Sequence, residues 1–178
     1  MKQILLLLAI VAFTCNSCKK EENKNQQSIF IGIGADILYK DISGNDLLDV
    51  NIANHFNSSD VKLYNLINGV PVEYYQSRYD NPKGFYIYKN TNLNSYCLAL
   101  PGMCYGSAIN KVEYSDKYVF ETIDYIHLSD IDTDTIKCLV EQGKDPFYLI
   151  SKEIWYNGVL KWNYEDYHPL NWYFEVIK

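Results

Sequence analysis

Apolar and polar residues alternate with a period of two over much of this chain, the pattern of half-buried strands. Residues 29–39 read as a first strand, interrupted at Gly32 and Gly34, where a bulge or close backbone approach is expected. Residues 61–67 place Val61, Leu63 and Ile67 on one face and end at Asn68-Gly69, after which residues 70–76 resume the extended pattern. Asn-Gly between two such runs marks a two-residue hairpin, because both turn positions need positive φ. Pro71 puts the returning strand at an edge or near its start. Residues 79–84 read as a loop, and short strands follow at 85–88 and 96–100, the second broken by Pro101-Gly102. Further strands are predicted at 112–114, 118–125 and 136–140. Residues 154–156 and 159–162 form a second hairpin around Asn157-Gly158, with Trp155 and Trp162 on its arms, and 172–177 make a final strand. Helical periodicity is scarce: residues 46–56 and 146–152 are each expected to make a turn or two.

About eight short strands with turn signals between them predict an all-β fold, an antiparallel β-sandwich, with a closed barrel as the alternative. Hydrophobic residues at 48% and charged residues at 21% agree with a globular chain. Residues 29–178 suit one domain with its own core.

The N-terminus breaks the pattern. A positive start at Lys2, an apolar run over residues 4–13 and small residues ahead of a cut site describe a secretory signal peptide. The run is too short to span about 30 Å of hydrocarbon, which takes about 20 residues. A cysteine at the cut resembles a bacterial lipoprotein signal, in which that cysteine carries the lipid. Cys18, preceded by Ser17, is favoured over Cys15, which follows Phe13-Thr14. A plain secretory peptide with incidental cysteines is the alternative. The expected division is therefore 1–17 signal peptide, 18–28 lipidated cysteine and tether, and 29–178 the β-sandwich domain. Residues 19–28 contain no apolar side chain and are expected to be a flexible tether spanning roughly 20 Å. Their charged start resembles the export tag of Bacteroidetes-type surface lipoproteins; a solvated linker without an addressing role is the alternative.

The resemblance extends into the body. Asp41-x-x-Gly44-Asn45-Asp46-Leu47-Leu48-Asp49 after a first strand, the Asn68-Gly69 hairpin, Asn81-Pro82-x-Gly84 before an aromatic strand, and Trp155-Tyr156-Asn157-Gly158 together resemble uncharacterised Bacteroidetes-type surface lipoproteins with an immunoglobulin-like β-sandwich. These are turn and loop signatures. They imply a fold and a lipid-anchored location at the outer membrane or cell surface, and no activity.

Charge narrows the partners. Sixteen Lys+Arg stand against 22 Asp+Glu, a net charge of −6. Loss of residues 1–17 takes Lys2 with it and leaves fifteen against 22, or −7. An acidic domain has no electrostatic footprint for nucleic acid, which is set aside as a partner.

Several short constellations invite a chemical reading. Gly102-Met103-Cys104-Tyr105-Gly106 has the shape of a nucleophile elbow, but no helix is predicted after it, and nothing brings His55, His127 or His168 near. Asp130, Asp132 and Asp134, with Glu141 further on, repeat as calcium ligands do, yet Thr135 stands where the loop needs glycine. In a strand these aspartates would instead line a solvated face. Cys97, Cys104 and Cys138 are odd in number; a Cys97–Cys104 pairing across a hairpin and ordinary apolar packing both remain open. No catalytic residue, metal or cofactor is assigned.

Seventeen tyrosines, seven phenylalanines and three tryptophans remain, 15% of the chain. Tyrosine suits a half-buried sheet surface first and a binding face second. If Phe85 and Ile87 face the core, Tyr86 and Tyr88 stand outward, and Trp155 and Trp162 offer aromatic surface on the second hairpin. Tyr86, Tyr88, Trp155 and Trp162 are therefore the candidate binding residues, for glycan or an envelope protein. The reading is a membrane-anchored, non-catalytic binding or accessory module. A small surface hydrolase and a structural subunit of an envelope assembly are the alternatives.

Overall fold

Twelve strands occur among residues 30–166 and 172–178, which the computed structural model describes. In chain order they are β1 (Phe30–Gly32), β2 (Asp36–Lys40), β3 (Lys62–Ile67), β4 (Val70–Glu73), β5 (Tyr86–Asn90), β6 (Ser95–Ala99), β7 (Ile109–Glu113), β8 (Lys117–Ser129), β9 (Asp132–Gly143), β10 (Tyr148–Tyr156), β11 (Val159–Asn163) and β12 (Tyr173–Ile177). The signal segment, the tether, Cys15, Cys18 and His168 lie outside the described residues.

The longest alternating runs, β8, β9 and β10, form the spine of the larger sheet. Its order is β1-β10-β9-β8-β3-β4. Each outer spine strand shares its free edge between two short strands: β1 and β11 along β10, and β3 and β7 along β8. The smaller sheet runs β12-β2-β6-β5. Two pairings, β1 with β10 and β2 with β12, are parallel, so the expected antiparallel sandwich is a mixed one.

The two sheets share one apolar core. Ile37, Tyr39, Leu98, Phe174 and Val176 come from the smaller sheet; Leu63, Ile126, Ile136, Ile154 and Trp162 come from the larger. The Tyr39 and Tyr156 hydroxyls meet at 3.0 Å between the layers. Such pairing suits buried phenols, whose hydroxyls need a partner once removed from water.

Residues 29–39 do not make one strand. The chain leaves the larger sheet after Gly32 and enters the smaller one at Asp36. Gly34, at φ 111°, lies against the Leu100 backbone, where an added Cβ would come within 3.0 Å of the carbonyl oxygen. Neither expected helical turn forms. Residues 46–56 fold as successive turns, because Asp46 and Asp49 side chains capture the Leu48 and Asn51 amides. Residues 148–152 belong to β10. Both Asn-Gly hairpins do form, with Asn68 and Gly69 at φ 51° and 82°, and Asn157 and Gly158 at 49° and 78°.

Candidate functional site

Beyond the Asn68-Gly69 hairpin, β4 runs out into a tyrosine-rich loop. The Tyr74 amide still donates to the Leu63 carbonyl at 2.8 Å, which carries the ladder one residue past β4. The loop then turns back through Gln76 N–H to Pro82 O at 2.7 Å and Tyr79 N–H to Gln76 O at 3.1 Å. Gly84, at φ 76°, lets the chain pass beneath the Tyr74 ring; a Cβ there would come within 2.6 Å of Cδ1. A second loop approaches from the opposite side. Gly102 packs on Gly84, donating to its carbonyl at 2.9 Å, and carries Tyr105 up beside Tyr74 with ring centroids 6.0 Å apart.

Two contiguous clefts result. One of about 490 Å³ is lined by Asn65, Glu73, Tyr74, Tyr75, Tyr79 and Tyr105 among others. The other, of about 350 Å³, shares Tyr74, Tyr79 and Tyr105 and adds Arg78, Asp80 and Asn81. Tyr75 and Tyr79 are about three-fifths exposed and Tyr105 about half. Burial, together with the other phenols nearby, raises the hydroxyls of Tyr74 and Tyr105 above the usual tyrosine value. They stay neutral across the physiological range and so keep a proton to donate. Flat aromatic faces interleaved with a guanidinium, carboxylates and amides can stack on an apolar ring face while bonding its polar rim.

The cleft floor reaches a buried polar cluster. Asn65 Nδ2 donates to Asp124 Oδ1 at 2.6 Å, and the Cys104 N–H donates to Asp124 Oδ2 at 2.8 Å. Burial pushes the Asp124 carboxyl up to about 6, against the pull of those two donors. Cys104 takes a left-handed φ of 67°, uncommon for a residue with a side chain. Its sulfur lies 3.8 Å from Ser151 Oγ. Burial also raises the Cys138 thiol well above its ordinary value. A positive φ at Cys104 is all the turn shares with an elbow: no helix follows it, its thiol is buried, and the described histidines are engaged elsewhere. His55 Nδ1 is 3.0 Å from Ile52 O, and His127 packs on Tyr64. Cys97, Cys104 and Cys138 are all free thiols, and no Cys97–Cys104 bridge forms.

The four aromatics singled out from sequence are not brought together. Tyr86 and Tyr88 do share the outer face of the smaller sheet, with Phe85 and Ile87 turned inward. Tyr86 is exposed and lines a separate apolar cleft of about 430 Å³ with Ile31, Ile33, Pro101 and Trp172. Tyr88 is tied down, its hydroxyl donating to Asp36 Oδ2 at 2.5 Å. Trp155 is half-buried, with Lys137 Nζ 4.0 Å from its ring centroid. Trp162 is a core residue, 2% exposed and stacked on Trp172 at 5.0 Å. A register shift between β10 and β11 at Ile154/Trp155 separates the fates of the two tryptophans.

The acidic run likewise differs from a solvated face. Ile131, at the hairpin tip, is 97% exposed, whereas Asp134 is buried. Asp134 accepts from the Tyr156 hydroxyl, from Asn157 Nδ2 at 2.6 Å and from Lys178 Nζ at 2.5 Å. Lys178 also bonds Asp132 at 2.7 Å, placing its ammonium between the two carboxylates. Asp130 is exposed, and Glu141 is held by Lys117 and Tyr148.

Sequence reading missed Tyr74, Tyr75, Tyr79 and Tyr105. The dense run at residues 74–79 was a signal, but the partner that turns it into a cleft arrives 26 residues later, on the loop carrying Tyr105. In comparisons with protein-family models, curated proteins and solved structures, nothing matches this chain.

Proposed function

We propose that the chain is a lipid-anchored, non-catalytic module of the cell envelope that binds glycan in the cleft of Tyr74, Tyr75, Tyr79 and Tyr105. The observation carrying this reading is the convergence of four tyrosines from two loops around one open cleft with polar side chains at its rim. Sugar rings have an apolar face and a polar edge, and stacked aromatics with flanking hydrogen-bonding groups complement both. The body is read as an immunoglobulin-like sandwich on the turn motifs described above. Attachment through Cys18 and an outer-membrane or surface location are read from the N-terminal segment. A protein partner is the second reading, favoured by the exposed Tyr75 and Tyr79, since tyrosine is enriched where proteins meet.

The test is binding of detergent-solubilised chain to arrayed glycans, alongside capture of envelope proteins. Glycan binding that falls about tenfold or more in the double variant Tyr79→Ala/Tyr105→Ala supports the cleft, since each lost aromatic contact is worth roughly 0.5–1.5 kcal/mol. Binding that survives this variant rejects the cleft. Fatty-acid labelling that survives Cys18→Ser rejects that anchor.

A further inference from the structure

Beneath the cleft, side chains from β8, β9 and the loop at residues 101–106 meet at one buried point. The Cys104 and Cys138 sulfurs and a carboxylate oxygen of Asp124 all lie within 4.8 Å of one another. Thr122, directly across the ladder from Cys138, is fully buried, and its hydroxyl faces the Cys138 sulfur without reaching ordinary hydrogen-bond geometry. A thiol sulfur is a weak acceptor, so this buried hydroxyl is poorly satisfied, and a wholly unsatisfied one costs about 1–3 kcal/mol.

We propose that Cys104, Cys138 and Asp124 bind a thiophilic divalent cation of the zinc type, with the Thr122 hydroxyl as the adjacent neutral oxygen donor. Zinc takes sulfur at about 2.3 Å and oxygen at about 2.0 Å in a tetrahedron, which sets neighbouring donor atoms about 3.5–3.8 Å apart. The present cluster reaches that spacing by a contraction of at most about 1.3 Å. Binding releases the two thiol protons to solvent, so that two thiolates and a carboxylate face one dication. The carboxylate is already oriented for this. Asn65 Nδ2 and the Cys104 N–H each hold one oxygen of Asp124, leaving further lone pairs for a metal.

A disulfide between the same cysteines would account for the two sulfurs and leave both the buried carboxylate and the Thr122 hydroxyl as they are. A cation answers all four groups. It would also pin the loop that carries Tyr105, although the metal site stands or falls independently of what the cleft binds.

The test uses the full chain, reduced and stripped of metal by a chelator, and titrated with Co²⁺ as a spectroscopic stand-in. One equivalent is expected to give an intense sulfur-to-cobalt charge-transfer band with tetrahedral d–d transitions. Zn²⁺ displaces it and Mg²⁺ produces none. Cys138→Ser abolishes the band, and Asn65→Ala, which leaves every donor in place, weakens Co²⁺ binding by about 10–100-fold. No charge-transfer band in the unmutated chain overturns the proposal whatever the variants do. So does protein isolated without reductant in which peptide mass mapping finds Cys104 and Cys138 joined, two hydrogens lighter than the dithiol.

Discussion

Asn65 and Asp124 sit directly opposite each other on β3 and β8, joined by a 2.6 Å hydrogen bond from Nδ2 to Oδ1. Because Asn65 also lines the tyrosine cleft, one side chain stands between the open surface and a buried carboxylate. The amide is thus both floor and support. Replacing it by leucine would keep the volume and remove the donor, leaving one Asp124 oxygen without its partner. Asn65→Leu is expected to destabilise the fold by about 1–3 kcal/mol, the penalty of an unsatisfied buried polar group. Urea unfolding at pH 7 reads this directly; an unchanged midpoint would show that Asp124 draws no support from Asn65.

Gly84 offers a controlled comparison. It shares positive φ with Gly69, but a Cβ at Gly84 meets the Tyr74 ring at 2.6 Å, whereas at Gly69 nothing lies within 4 Å. Gly69→Ala therefore reports backbone strain alone, about 1–2 kcal/mol. Gly84→Ala adds displacement of an aromatic wall. It is expected to be the more destabilising of the two and the only one to weaken cleft binding. Equal effects on stability and binding would mean that Tyr74 swings away freely.

The two hairpin tryptophans should differ in what their loss costs. Trp162→Ala removes a ring from the core and is expected to cost about 3–5 kcal/mol. Trp155→Ala gives up partial packing and the contact with Lys137, a cation–π interaction worth about 0.5–1 kcal/mol at an exposed site. Denaturant midpoints for the two variants settle the order. Comparable losses would place Trp155 in the core as well.

Acid sensitivity has an identifiable contributor on the outer face of β8. Asn110 and Lys137 bond the Glu121 carboxylate and hold it below its ordinary value of 4.5. A carboxyl lowered on folding favours the folded state when ionised. Its contribution is therefore complete above about pH 4.5 and is lost as pH falls through the lowered folded value. The pair is partly exposed, so Glu121→Gln should cost under about 1 kcal/mol at pH 7 and still less at pH 3. Urea titrations at both pH values check the sign; a larger cost in acid would reverse it.

Much of this architecture is written in local pattern, and the exceptions have specific causes. The Asn68-Gly69 and Asn157-Gly158 hairpins were legible because both residues must take positive φ, whatever surrounds them. Tyr86 and Tyr88 were correctly placed outward by the inward preference of Phe85 and Ile87. The fate of Asp134 was also present in principle. The alternation that buries Ile136, Cys138 and Val140 puts Asp134 on the same inner face, but only Tyr156, Asn157 and Lys178 make that burial tolerable. Trp162 escaped the pattern because a register shift beside it changes which side of the hairpin faces in.

Period-two alternation and Asn-Gly turns by themselves determined an all-β chain with its two Asn-Gly hairpins, because strand pleat and turn φ are properties of a few neighbouring residues. Only the tertiary structure decided that residues 29–39 divide between two sheets, that Tyr105 closes the cleft begun at Tyr74, and that Cys104 meets Cys138 and Asp124. The last two join residues 20 to 34 positions apart, and the first rests on pairings with β10 and β12 more than 100 positions away. They depend on how loops cross between layers, and no local periodicity encodes that.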